Sequence, residues 1–240
     1  MMDGKATTNS FNLGGDGDDL EIVLGVEKAF STQLSDDEAK GCITFGDLYD
    51  LVASKLNISE GTKAGYVSTL AYFRLRSALR KIGYGGELSP STDLRPFLRD
   101  QGARKIWTSL EAQLGLTIPE LQNSRIVAVG IGLVLITGLA GAALYKSFLT
   151  AVLAVCLAIA LSKIMPKTSL PKRYSTLGSL AACIAIMNFG KLARLQGGAK
   201  AAELWNALIV VVTECAGTEP DTPIRRATTF FKKGRRKTHQ

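Results

Sequence analysis

The carboxylates Asp18, Asp19, Glu21 and Glu27 are spaced closely enough to share one short helix. Such a cluster suits electrostatic docking of a basic partner. For catalysis it lacks companions: the sequence has no P-loop, no Gly-x-Gly-x-x-Gly after a strand and no nucleophile elbow, and its single histidine, His239, sits in the tail. The four cysteines, Cys42, Cys156, Cys183 and Cys215, are far apart and include no CxxC spacing, so no zinc site is expected. Free thiols fit a reducing compartment. No catalytic residue, metal ligand or cofactor is assigned on this pattern, and the chain reads as a non-enzyme.

Two basic sets stand against the acidic one. Over residues 66–82, Tyr66, Leu70, Phe73 and Leu75 are interleaved with Arg74, Arg76, Arg80 and Lys81, and the tail carries Lys232, Lys233, Arg235 and Arg236. Beside a membrane such clusters attract anionic lipid, at about 1 kcal/mol per charge. An acidic protein face or plain solvent would suit them as well. Nucleic acid is not the expected partner, because no groove-reading motif or stacking aromatic set accompanies the charge. The asymmetry runs through the whole chain of 240 residues: residues 1–60 carry 12 acidic and 4 basic groups, net −8, so the remainder holds +16 of a total of +8.

The elements that must position these groups are punctuated clearly. Residues 1–17, with Gly14, Gly15 and Gly17, read as a flexible leader without the basic and apolar regions of a signal peptide. Ile22, Val26 and Phe30 at four-residue spacing predict a helix over 19–30, with acidic groups in its first turn where the helix dipole favours them. Ser35 with Glu38 and Thr44 with Asp47 match the capping-box spacing and predict helices over 36–40 and 45–56. Further helices are expected over 66–82 and 104–116, separated by a turn at 83–96.

Two apolar runs follow, 126–144 and 148–161, parted by Tyr145, Lys146 and Ser147. Small residues recur four apart at Ala128/Gly132, Gly138/Ala142 and Ala154/Ala158, a spacing that lets helix backbones approach closely. These runs predict a two-helix transmembrane hairpin over 125–165, since about 20 apolar residues span a bilayer core. Basic residues outside both runs then place both termini on the cytoplasmic side. Segment 174–189 reads either as an amphipathic helix or as a third span.

The run from Asp18 through Phe30, then Leu34-Ser35-Asp36-Asp37-Glu38-Ala39 and Ile43-Thr44-Phe45-Gly46-Asp47-Leu48, resembles the second to fourth helices of the acyl carrier protein family. The resemblance covers about 40 residues and implies a carrier-like bundle whose acidic helix recognises partners. That family attaches phosphopantetheine to a serine before the second helix; here Asp16 occupies the place, so the resemblance implies the shape without the chemistry. The family's first helix is missing from the N-terminal part. Residues 203–217, with Leu204, Leu208, Val211 and Cys215 on one face, would supply it by permutation, or else pack elsewhere. A five-residue echo, Thr44-Phe45-Gly46-Asp47-Leu48 against Thr176-Leu177-Gly178-Ser179-Leu180, hints at an internal repeat.

The sequence thus predicts an all-α protein: acidic carrier-like helices at 18–60, a basic helical region at 61–124, the hairpin, C-terminal helices at 174–231 that could complete the bundle, and a basic tail at 232–240. The expected function is that of a membrane-anchored docking or adaptor protein, using Asp18, Asp19, Glu21 and Glu27 against a protein partner. A membrane-tethered carrier modified at an atypical site and a structural subunit of a membrane complex are the alternatives. A homo-oligomer would satisfy the same reading.

Overall fold

The computed structural model describes residues 10–11, 13, 18–59, 64–123, 125–144, 148–164, 167–218 and 223–231. These residues form eleven α-helices: α1 (Asp18–Phe30), α2 (Asp36–Gly41), α3 (Phe45–Lys55), α4 (Val67–Lys81), α5 (Arg95–Gln101), α6 (Ala103–Leu114), α7 (Arg125–Leu144), α8 (Phe148–Ile164), α9 (Leu177–Met187), α10 (Phe189–Leu195) and α11 (Ala201–Cys215). Two short strands, β1 (Gln122–Asn123) and β2 (Lys167–Ser169), pair antiparallel. The chain divides into two units, residues 1–74 with 181–240 and residues 75–180.

In the first unit α1 buries Ile22, Val26, Ala29 and Phe30 and packs on α11 and α10. The helices approach closely enough to need glycine: a Cβ on Gly25 would come 2.5 Å from Cys215 Sγ, and one on Gly190 would overlap the Phe30 carbonyl. Phe30 and Phe189 pack with ring centroids 5.4 Å apart. From α11, Leu204, Leu208 and Val212 are fully buried, and Trp205 meets the ring edges of Phe45 and Tyr49 of α3 at 4.8 and 5.3 Å. The capping boxes Ser35/Glu38 and Thr44/Asp47 stand at the starts of α2 and α3. A further cap is remote in sequence. The Glu203 carboxylate accepts from Val67 N, Ser68 N and the Ser68 hydroxyl at the start of α4, at 2.8, 3.1 and 2.6 Å.

The second unit buries Leu94, Leu98, Ile106, Trp107, Leu110 and Leu177. Trp107 Nε1 donates to the Pro119 carbonyl at 2.9 Å, tying α6 to the segment that leads to β1. The β1–β2 pair then clamps the roots of α7 and α8, with Asn123 Nδ2 donating to the Ser162 carbonyl at 3.3 Å and Lys167 bonded to Glu120 at 2.6 Å. In the hairpin itself α7 packs on α8 along a seam of small residues. Ala154 and Ala158 are buried, and a Cβ on Gly138 would overlap that of Ala154.

The five-residue echo marks a structural repeat. In the first unit Phe45 N and Gly46 N donate to the carbonyls of Thr228 and Arg226 at 2.8 and 2.9 Å, while Phe230 N donates to the Ile43 carbonyl at 3.3 Å. In the second, Leu177 N and Gly178 N donate to Thr92 and Pro90 at 2.9 and 2.8 Å, while Leu94 N donates to Ser175 at 3.0 Å. Each docking loop is closed the same way, Thr228 Oγ1 accepting from Arg225 N and Thr92 Oγ1 from Ser89 N, both at 2.9 Å. Isolated antiparallel bridges, Thr44 with Thr229 and Asp93 with Thr176, occupy matching places. Gly46 and Gly178 are glycine for one reason: a Cβ at either would stand 2.9 Å from the loop carbonyl of Arg226 or Pro90. The order differs. The loop precedes its helix in the second unit and follows it in the first, where residues 10–13 also join, Phe11 N and Leu13 N donating to the carbonyls of Thr229 and Phe230.

The transmembrane hairpin is corrected. Both helices form, but among the described residues no helix is long and apolar enough to cross a membrane. Helix α8 has 17 residues with Ser162 and Lys163 in its last turn, and at 1.5 Å per residue it extends roughly 25 Å against a ~30 Å hydrocarbon core. Helix α7 spends its first position on Arg125. Integral membrane localisation, two spans and the cytoplasmic placement of both termini fall with it, as does a third span, since α9 has 11 residues. The fold is a largely helical bundle with a two-stranded neck.

Candidate functional site

The outer face of α1 gathers most of what the acidic cluster promised. Its inner positions are consumed by the core, which leaves Asp19, Leu20, Glu21, Leu24 and Lys28 exposed. Leu20 and Leu24 stand one turn apart at 59% and 54% exposure, so this acidic helix presents a small apolar centre to solvent. Asp18 is the first residue of the helix. Glu27 has a different role. Its Oε1 accepts from Leu34 N at 2.7 Å, so it fastens the loop after α1 rather than standing free for a partner. Asp16 lies outside the described residues.

Around this face the electrostatics are set by local hydrogen bonds. The Glu38 carboxyl is held down to about 2 by its hydrogen bond to the Lys55 ammonium, 2.8 Å away, and by the backbone N–H and hydroxyl of Ser35. Asp47 is lowered chiefly by the Thr44 backbone N–H at 2.8 Å. Both carboxylates stay charged to serve as helix caps. The two thiols of this unit move the other way: burial raises Cys42, with Asp47 and Glu38 adding to it, and burial raises Cys215, with Glu21 and Glu214 adding to it. A raised thiol holds less of the nucleophilic thiolate at neutral pH. Among the described residues no group of three or more His, Cys, Asp or Glu could hold a metal ion.

The basic residues of α4 differ in exposure. Arg80 is exposed, whereas Arg74 and Arg76 are half-buried, and the Arg76 Nε is buried with no hydrogen-bond partner. Lys232, Lys233, Arg235 and Arg236 lie outside the described residues. A basic group missed in the sequence is Arg226, which pairs with Asp50 and lies 5.2 Å over the Tyr49 ring. The Arg-Arg pair at 225–226 was the only signal for it. The exposed leucines of α1 were also missed, because helical spacing assigns both to the broad apolar face, and only the packing of α10 and α11 decides which leucines are covered. No protein-family model matches the chain, nor does any curated protein or any solved structure.

Proposed function

We propose that the first unit is a non-catalytic docking module in which α11, α1, α2 and α3 form an acyl-carrier-like bundle. The outer face of α1 binds a protein partner whose surface offers an apolar groove rimmed by basic groups. The observation that carries this reading is the pair Leu20 and Leu24, exposed at one-turn spacing on a helix flanked by Asp19 and Glu21. Apolar anchors on a helix with a charged rim are how a helix seats in a groove, the anchors supplying affinity and the rim supplying register and on-rate. Against a well-packed groove, truncating one such anchor costs about 1–3 kcal/mol.

The test is co-purification of a partner with the tagged full chain at low salt. A partner held through this face is lost with Leu20→Ser/Leu24→Ser and weakened by Glu21→Lys, and its addition slows amide exchange within residues 18–30. Retention of the partner by the double variant refutes the assignment of the face. A mass increase matching the phosphopantetheine arm, after co-expression with a broad-specificity transferase, would replace docking with carrier chemistry.

A further inference from the structure

The α7–α8 hairpin leaves a large apolar surface uncovered. Its large residues, Leu133, Ile136, Phe148, Leu149 and Leu153 foremost, expose between 39% and 84% of their surface, and Gly138, Ala154 and Ala158 occupy the seam between the helices. Eleven large apolar side chains of the two helices are exposed, a density that monomers rarely present to water. The repeat shows that the unit does not need this element. In the first unit α2 leads to α3 through Cys42, Ile43 and Thr44 alone, whereas in the second the neck and hairpin are inserted before α9. An insertion rooted in its own strand pair, whose two helices pack chiefly on each other, is built to meet something else.

We propose that the occupant is the hairpin of a second copy of this chain, the two hairpins forming a four-helix interface. Area and chemistry both favour it. A standard interface takes ~800 Å² from each partner, within what the hairpin exposes. From Ile126 to Ser162 the described helices carry no charged residue, so the face offers no polar rim by which a different protein would be selected. A second hairpin matches an uncharged face, with Lys163, exposed at the end of α8, left in water. Among the described residues no helix is long and apolar enough to cross a membrane.

Light scattering on the full chain in detergent-free buffer tests the proposal, with Leu133→Glu/Leu153→Glu as the variant. Both side chains are exposed in the single copy, so the variant keeps its helical circular dichroism. The expected result is twice the chain mass for the wild type and the chain mass for the variant. Cys156, exposed on α8, reports independently: its maleimide reaction is at least ten times slower in the dimer than in the variant. A wild type at the chain mass overturns the proposal, as does a dimer that survives both glutamates. So does flotation of single copies with phosphatidylcholine vesicles, abolished by the glutamates, which would make lipid the occupant.

Discussion

The Glu38 carboxylate joins three groups at one point: it accepts from Ser35 N at 2.8 Å and the Ser35 hydroxyl at 3.0 Å, and pairs with Lys55 of α3 at 2.8 Å. Its proton affinity is depressed from an ordinary 4.5 to about 2, so the unfolded chain binds the proton more readily than the folded one. The stabilisation is therefore complete above about 4.5 and is lost as the pH falls towards 2. With Glu38→Gln the wild type's steeper loss of melting temperature across that window should disappear, the other carboxylates being common to both proteins. Equal slopes would show that the Lys55 contact contributes nothing. At this scale the sequence was readable where a rule is local, since the capping boxes follow from a hydroxyl and a carboxylate three residues apart. It was silent where a residue answers to a distant backbone. Nothing near Gly190 in sequence shows that the Phe30 carbonyl leaves no room for a Cβ.

The starts of α3 and α9 carry the same device with different chemistry. Thr44 Oγ1 accepts from Asp47 N at 3.2 Å and Asp47 Oδ2 accepts from Thr44 N at 2.8 Å, while Thr176 and Ser179 make the same reciprocal pair at 3.2 Å each way. Removing either threonine costs about 1 kcal/mol. Thr44→Ala and Thr176→Ala should destabilise alike in denaturant unfolding, whereas Asp47→Ala should cost more than Ser179→Ala because only the first loses charged hydrogen bonds, worth roughly 1.5–3 kcal/mol against 0.5–1.5. A silent Thr176→Ala would mean that the two helix starts are alike in geometry only. Helix existence is largely legible from apolar spacing, but α5 is not: its first two residues fall in the turn predicted at 83–96 and the rest in no predicted element. Its Leu94 cap makes no side-chain hydrogen bond, and Pro96 in its first turn looks like a breaker in sequence although it is well suited to that position. The apolar runs at 126–144 and 148–161 specified helices without specifying what surrounds them. Low polarity fits lipid, a core or a partner equally, and among the described residues no helix is long and apolar enough for a span.

On the scale of the molecule, the repeat and its altered order account for how the first unit is assembled from both ends of the described chain. Segment 10–13 pairs beside 229–230, and the Phe11 and Phe230 rings stack at 5.6 Å, where in the second unit Leu94 runs directly into α5. A five-residue echo was all that the sequence offered of this, because the repeat is kept in backbone hydrogen bonds that accept many side chains, with Thr-x-Gly-x-Leu at the helix start and a threonine in each docking loop held to type. If order of elements is secondary to these contacts, the chain should tolerate reordering. A permutant that begins at Ala64 and ends at Ser59, with residues 232–240 running into 1–9 as the connection, places α4 to α9 ahead of α10, α11 and α1 to α3. Both loop-to-helix contacts, the Glu203 cap on α4 and the α1–α11 packing survive that rearrangement. Moving one connection changes closure entropy by only about 0.6 kcal/mol per doubling of loop length. Cooperative thermal unfolding within about 2 kcal/mol of the parent is expected, that margin being a large share of a typical domain's stability. Non-cooperative melting of the permutant would show that the covalent link from α3 to α4, rather than the packing of α11 on α1, holds the first unit together.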